Sequence, residues 1–172
     1  MRWRCPSCGD THDDLPLAFG PAAPDVVASV PEEEREQRVV LSTDQCIVDG
    51  QHFFVLGNLE LPIIGHDEPF SWDIWVSLSA KNFQRASELW TTQGREAEPP
   101  YFGWVSSRLP GYPSTHALAS KVHTRAVGLR PYIELQPTDH PLSGEQRRGI
   151  TWARVHELVA LALHGAPSER HP

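Results

Sequence analysis

The chain has 172 residues, a length that suits one domain with a core large enough to fold without disulfide bonds. Its formal charge of −7, from 22 acidic against 15 basic residues, argues against a nucleic-acid-binding surface, and no apolar run is long enough to span a bilayer. Three cysteines are too few for a disulfide-rich secreted scaffold. We therefore expect a soluble, cytoplasmic protein with no nucleic-acid partner and no membrane segment.

The N-terminal segment carries CPSCGDTH at 5–12. Cys5 and Cys8 are separated by two residues, so one tight turn presents two sulfurs at a spacing common in zinc sites. His12 follows soon after, and Cys46 is the remaining cysteine of the chain. Closing the loop to Cys46 costs roughly 3 kcal/mol, against roughly 10 to 16 kcal/mol available from structural zinc. The sequence therefore predicts a zinc site with the ligands Cys5, Cys8, His12 and Cys46.

Each of these residues also has a simpler interpretation. The cysteine pair resembles the dithiol of a glutaredoxin-type redox site, but that chemistry needs a strand before the pair and a helix after it. Few residues precede Cys5, and GDTHDDLP is a poor helix start, which favours zinc. Cys46 could instead be a small buried hydrophobic residue of an apolar strand, and His12 could be an ordinary surface histidine.

Helix and strand signals follow a proline-rich connector at 20–24. The segment PEEERE places glutamates directly after Pro31, where carboxylates stabilise the first turn of a helix. This predicts one short, solvated helix. Asp49-Gly50 lies between the apolar runs CIV and QHFFVL and predicts a two-residue hairpin. Two further strands are predicted in LELPII at 59–64 and FSWDIWVSLS at 70–79.

Two helix signals follow the strand at 70–79, and the last one is the clearest of the chain. Ser79 is a suitable N-cap for a helix over 80–91, and a longer apolar face begins after Thr151 and stops at Gly165. Strands are predicted between these helices at 101–107, at 117–127 and in YIELQ from Tyr132.

These elements predict an α+β fold with a mostly antiparallel sheet and a C-terminal helix. We expect a single domain over residues 1–172, with an N-terminal zinc-knuckle extension at 1–13 and a flexible tail at 166–172.

Two short motifs could indicate catalysis. HDE at 66–68 resembles the His-x-Glu of zinc deaminases, but the cysteine pair precedes it and Pro69 follows directly, so chance explains it better. Asp139 beside His140 could orient a general base, yet a turn that begins at Thr138 explains both residues more simply. We therefore assign no catalytic residue.

Six tryptophans invite comparison with a ligand pocket, but most are expected in the core. Trp75 is the exception, because alternation along its strand puts it on the face opposite Trp72 and Ile74. If that second face is uncovered, Trp75 marks a surface for a protein partner.

Five segments together resemble a bacterial family known as domain of unknown function 2199. They are CPSCGDTH at 5–12, STDQCIVDG at 42–50, FSWDIWVSLS at 70–79, YFGW at 101–104 and RPYIELQPTDHPL at 130–142. The resemblance implies one compact bacterial domain with a Cys-x-x-Cys knuckle and a later cysteine. It implies no activity, because the function of that family is itself unassigned.

Two functions from different classes fit these observations. We favour a non-enzymatic protein-binding or regulatory module, whose structural zinc ties the knuckle to the sheet. The alternative is a small zinc-dependent hydrolase or deaminase-like enzyme, whose metal keeps an open position for water. A closed shell of three cysteines and one histidine would leave no room for that chemistry.

Overall fold

The computed structural model describes residues 2–5, 9–12 and 15–165, with His12 described in its backbone alone. Within these residues the helices are α1 (Glu32–Arg38), α2 (Ala80–Glu88), α3 (Pro141–Arg148) and α4 (Trp152–His164). The strands are β1 (Trp3–Arg4), β2 (Thr11–His12), β3 (Ala18–Phe19), β4 (Val39–Leu41), β5 (Gln45–Val48), β6 (His52–Leu61), β7 (Phe70–Leu78), β8 (Tyr101–Val105), β9 (Ala119–His123) and β10 (Tyr132–Leu135). The α+β class and the C-terminal helix are confirmed, and the predicted tail at 166–172 lies outside the described residues.

The main sheet closes on itself. Strands β6, β7, β8, β9 and β10 pair in that order, and β10 returns to β6 with Tyr132 opposite Asn58. That closing pair is parallel, and so is the pair between β3 and β7. The other pairs of this sheet are antiparallel, so the expectation of a mostly antiparallel sheet is confirmed. The closure was not predicted, because alternating hydrophobicity predicts that a segment is a strand but does not say which strand lies beside it.

Strand β6 is the longest element of the sheet and joins two predicted strands into one. It pairs antiparallel with β7 along its length, from Phe53 opposite Leu78 to Leu61 opposite Phe70. Gly57 lies in its middle, where an added Cβ would be 2.5 Å from the Cδ1 of Ile133. Glycine therefore permits the close approach of β10 that closes the sheet.

The two faces of β6 and β7 belong to different apolar clusters. The main cluster lies on the inner face and includes Trp72, Ile74 and Val76, together with Val155 and Leu158 of α4. The second cluster lies on the outer face and contains Val27, Val30, Cys46, Val48, Phe54, Leu56 and Trp75.

The outer face at Trp75 is covered. Its side chain is fully buried, and its indole N–H donates to the carbonyl oxygen of Pro21 at 3.0 Å. A 3-10 turn over Asp25–Ser29 places Val27 and neighbouring residues across this face. The expectation that Trp75 marks an exposed binding surface is therefore wrong, because the segment that looked like a connector packs on the sheet.

Two helix predictions are confirmed at their caps. The hydroxyl of Ser79 accepts from the amide of Asn82 at 3.2 Å, and the hydroxyl of Thr151 accepts from the amide of Arg154 at 3.3 Å. Helix α2 ends at Glu88, a few residues before its predicted end. None of the helices in the described part of the chain is both long and apolar enough to cross a membrane.

Helix α3 is absent from the sequence-based prediction, which placed a turn there. Gly144 lowers helix propensity within this short segment, so its local signal is weak even though Pro141 suits the first helical position. Gln146 ties the helix to β10 instead, since its side chain accepts from the amide of Leu135 at 2.8 Å and donates to the carbonyl of Ile133 at 2.7 Å. Tertiary hydrogen bonds therefore hold α3 in place.

Candidate functional site

The N-terminal cysteine segment forms the end of a small hairpin. Trp3 of β1 lies opposite His12 of β2 in an antiparallel pair. The Cys5 amide donates to the carbonyl of Asp10 at 2.8 Å, and the Gly9 amide donates to the carbonyl of Cys5 at 2.9 Å. Gly9 has a φ of 76°, which glycine adopts without steric cost. Backbone hydrogen bonds therefore join Cys5 to Gly9 and Asp10, the described residues on the far side of 6–8.

The hairpin packs on the rest of the domain. Trp3 and Cys5 are both buried in the main cluster, with Cys5 only 1% exposed. The Trp3 ring stacks on the imidazole of His156 in α4, with ring centroids 5.6 Å apart and planes 19° from parallel. Trp152 and His66 continue this row of rings, at 6.3 Å from His156 to Trp152 and 5.0 Å from Trp152 to His66.

The predicted zinc site is only partly visible in this hairpin. Cys8 and the side chain of His12 lie outside the described residues, so their positions relative to Cys5 are not defined. Among the side chains that the structure does describe, no group of three or more His, Cys, Asp or Glu could hold a metal ion. The zinc-knuckle extension thus stays a prediction.

Cys46, the fourth predicted ligand, lies elsewhere in the core. It is fully buried in the second cluster, opposite Phe54 in the β5–β6 pair, whereas Cys5 belongs to the main cluster. Burial raises the pKa of the Cys46 thiol to about 11. Cys46 therefore packs among the apolar side chains of the second cluster, as in the simpler interpretation of this residue.

The other two sequence motifs have local structural roles. The Nδ1 atom of His66 lies 2.9 Å from the carbonyl oxygen of Glu68, and its ring packs edge-on against Trp152. His140 caps α3, because its Nδ1 atom accepts from the amide of Leu142 at 3.2 Å. Its Nε2 atom is buried without a hydrogen-bond partner. The capping role of His140 agrees with the turn that the sequence predicted at this point.

Arg95 is a buried cation that sequence reasoning missed. Its guanidinium donates to the carbonyls of Trp90, Arg125, Ala126 and Leu129 at 2.8 to 3.2 Å, and only 5% of the residue is exposed. These bonds join the end of α2 to the turn before β10. Several carbonyls from separate segments converge here without a motif, so the sequence offers no signal for this contact.

A cleft of about 470 Å³ lies on the outer side of the 3-10 turn and brings together residues that are far apart in sequence. Asp25 lies at its edge, and its Oδ2 atom is 3.8 Å from both the Nε of Arg108 and the Nδ1 of His116. Both distances are too long for hydrogen bonds. Asp25 and His116 therefore do not form an assembled acid–base pair in this structure.

An aromatic pair is exposed on the outer face of β8. Phe102 and Trp104 meet edge to face with centroids 4.9 Å apart, and they are 45% and 48% exposed. Gly103 between them faces inward, where an added Cβ would be 2.4 Å from a Val76 methyl. Sequence reasoning assigned most tryptophans to the core and missed Trp104, although alternation through YFGWV could have placed Phe102 and Trp104 on the same face.

Together these features define an α+β domain in which a closed sheet carries a Cys-x-x-Cys hairpin docked on its C-terminal helix. The chain belongs to the family described as uncharacterized protein conserved in bacteria, DUF2199, which matches residues 4–150. This confirms the resemblance drawn from the five sequence segments. No curated protein and no solved structure matches the chain.

Proposed function

We propose that the protein is a non-enzymatic binding module whose N-terminal hairpin is held by a structural zinc ion. The observation that carries this proposal is the reversal of the chain at Cys5 and Gly9, with the Cys5 side chain packed in the main cluster. Two thiolates and an imidazole are ligands that zinc prefers, so the donor set fits the metal.

The proposed ligands within the hairpin are Cys5, Cys8 and His12. Cys46 is left out of this set, because it lies in the second cluster, on the outer face of the sheet, whereas Cys5 lies in the main cluster. A protein of this kind is expected in the cytoplasm, where reducing conditions keep cysteines available as metal ligands.

A structural role for the metal follows from its surroundings. Cys5 is almost completely buried in the same cluster as Trp3, so a substrate would have little access to its sulfur. The hairpin strands are two residues each, too short to be stable alone, and a metal would add the missing stabilisation.

The zinc proposal is tested by metal analysis of the purified full chain. We expect one zinc per chain in the wild type, loss of zinc in Cys5→Ser and Cys8→Ser, and full zinc content in Cys46→Ala. Zinc lost from Cys46→Ala would restore the four-ligand site predicted from the sequence. A wild-type protein without stoichiometric zinc would overturn the proposal.

The binding function is assigned to the exposed pair Phe102 and Trp104, in place of the buried Trp75. We expect the occupant to be a protein surface that presents a basic side chain. Aromatic faces attract cations, and tryptophan does so most strongly. The net charge of −7 also favours a basic partner and disfavours nucleic acid.

The partner is tested in two steps with the same proteins. Immobilised full chain and its Trp104→Ala variant are used to recover candidate partners, and each purified candidate is then titrated against both proteins. We expect Trp104→Ala to weaken binding about tenfold or more, as for a buried interface aromatic. Leu163→Ala, at a site 45% exposed, is the matched control. Equal affinity of Trp104→Ala and wild type would refute this surface.

A further inference from the structure

We infer that the cleft beside the 3-10 turn binds a small organic acid and holds its carboxylate or phosphate oxygens with N–H donors from Arg108 and His116. The residues that line this cleft belong neither to the N-terminal hairpin nor to the exposed pair Phe102 and Trp104. The inference therefore adds a small-molecule site to the proposed function and does not depend on the zinc ion.

Arg108 and His116 bring hydrogen-bond donors to the cleft. The Nε atom of Arg108 and the Nδ1 atom of His116 each lie 3.8 Å from the Oδ2 atom of Asp25, which is beyond hydrogen-bond range. Neither side chain donates to another residue in the part of the chain that the structure describes. Both side chains are exposed and line the cleft, so their N–H groups are available to an acceptor on a ligand.

Asp25 accounts for the meeting of two basic groups at this point. Its Oδ2 atom is buried and has no hydrogen-bond partner among the described residues, and a buried carboxylate attracts nearby cations. One carboxylate balances one positive charge, so Arg108 together with a protonated His116 leaves a positive charge for a second anion. The net charge of −7 opposes that anion only weakly, because salt screens exposed charges more than about 8 Å apart at physiological ionic strength.

The backbone on both sides of Arg108 is fixed by one buried side chain. Thr115 is fully buried, and its hydroxyl donates to the carbonyl of Ser107 at 2.6 Å and accepts from the amide of Leu109 at 3.0 Å. These bonds hold the residues before and after Arg108, and His116 directly follows Thr115 in the sequence. Both donors therefore project from an ordered backbone, which lowers the entropic cost of binding.

The backbone directly after His116 is strained. Ala117 has a φ of 62°, in the left-handed region that residues other than glycine rarely adopt. Its amide donates to the carbonyl of Val105 at 2.8 Å, so the last residue of β8 holds this conformation in place. Strained residues of this kind cluster at binding and catalytic sites, and this one fixes the direction in which the chain leaves His116.

The size and lining of the cleft favour an organic acid over a bare inorganic ion. A volume of about 470 Å³ lies within the range of roughly 300 to 1,000 Å³ that is usual for small-molecule sites. Val26 and Ala28 add apolar surface beside the charged groups, and Ser29 adds a hydroxyl. The ligand is therefore expected to have a small apolar body and one charged end.

The rival explanation is a solvated surface cluster that has no ligand. Such a cluster attracts anions by charge alone, so removing any exposed arginine should weaken anion binding to the same small extent. Arg147 is the matched control, because it is exposed near the end of α3 and does not line the cleft. Arg108→Gln and Arg147→Gln remove the same charge, so only a formed site makes their effects differ.

The test titrates the full-length wild type with three probes that share one aromatic ring, namely benzoate, phenyl phosphate and benzyl alcohol. Backbone amide shifts in NMR spectra report both the place of binding and the affinity. We expect at least one of the two acids to shift Arg108 and His116 and to saturate with a dissociation constant of about 1 mM or below. The tighter acid shows whether the site prefers carboxylate or phosphate. We expect benzyl alcohol to bind about tenfold or more weakly than that acid.

The variants separate the two explanations. We expect Arg108→Gln and His116→Gln each to weaken binding of the tighter acid about tenfold or more, and Arg147→Gln to match the wild type. Wild-type affinity in either Arg108→Gln or His116→Gln would overturn the site, and so would equal weakening by Arg108→Gln and Arg147→Gln. Failure of both acids to saturate the wild type at roughly 10 mM, or equal binding of benzyl alcohol, would overturn it as well. The same spectra show whether each variant is folded, and the comparison of the three probes on the wild type needs no variant.

Discussion

Arg95 lies over the ring of Trp90, with its guanidinium carbon 5.2 Å from the ring centroid, and also donates to the carbonyl of Trp90 at 2.8 Å. The same guanidinium bonds three carbonyls in the turn at 125–129. The buried guanidinium of Arg95 therefore links the end of α2 to the turn that precedes β10. Since β10 closes the sheet, this contact supports the closure.

Arg95→Lys is expected to destabilise the protein by about 2 to 4 kcal/mol, because one ammonium cannot reach four carbonyls that a planar fork satisfies. Urea unfolding measures this loss. Arg108→Lys is the matched control, since the Arg108 side chain is 79% exposed, and its change should stay within about 0.5 kcal/mol. Equal stability of the two variants would contradict a structural role for Arg95.

Cys46 is expected to make stability depend on alkaline pH. The folded protein raises the pKa of this thiol from 9.0 to about 11, because burial favours the neutral form. Below pH 9 the thiol is neutral in both the folded and the unfolded chain, so it does not reduce the free energy of unfolding. As the pH rises from 9 towards 11, the thiol ionises in the unfolded chain and resists ionisation in the folded protein, so the free energy of unfolding falls.

Comparison with Cys46→Ala isolates this effect, since Tyr101, whose pKa burial raises to about 12, titrates in both proteins. The wild type should lose about 2 kcal/mol more than Cys46→Ala between pH 8 and pH 11, as measured by urea unfolding. A parallel loss in the two proteins would mean that the thiol is not held neutral by the fold.

The local sequence pattern was enough to locate the strands and helices that have clear hydrophobic alternation or clear capping residues. The alternation of Trp72, Ile74 and Val76 predicted β7, and the cap at Thr151 predicted the start of α4. Neither signal says what lies on the far side of an element. For this reason the cover over Trp75 and the parallel return of β10 to β6 were missed.

The candidate site also combines features that the local sequence predicts with contacts between distant segments that it does not predict. The spacing of Cys5 and Cys8 is a local property of the sequence, and Cys8 lies outside the described residues. The choice of Cys46 as a ligand depended on its residue type and on a tolerable cost of loop closure, neither of which predicts the register of β5 that places it opposite Phe54 in the second cluster. The contact between Trp3 and His156 joins distant segments through shape, for which the sequence has no periodic signal.

Trp3→Ala should destabilise the folded protein by about 3 kcal/mol, because it removes a buried indole and its stack on His156. Trp104→Ala is the same substitution at a site 48% exposed, and it should cost under about 1 kcal/mol. Thermal or urea unfolding of both variants compares them directly. A similar cost at the two positions would show that the hairpin contributes no more to stability than a surface side chain.

Chelation of the proposed zinc should loosen the hairpin and leave the closed sheet intact. The strands β1 and β2 are held by few backbone bonds, whereas β6 and β7 pair over nearly their whole length around fully buried side chains such as Ile74 and Leu59. Hydrogen exchange should therefore accelerate at residues 3–12 and at the α4 positions beneath Trp3, with protection retained in β6 and β7. Cys5→Ser should show the loosened pattern with or without chelator. Loss of protection throughout the sheet would instead show that the metal is required for the whole fold, and an unchanged pattern would show that it does not stabilise the hairpin.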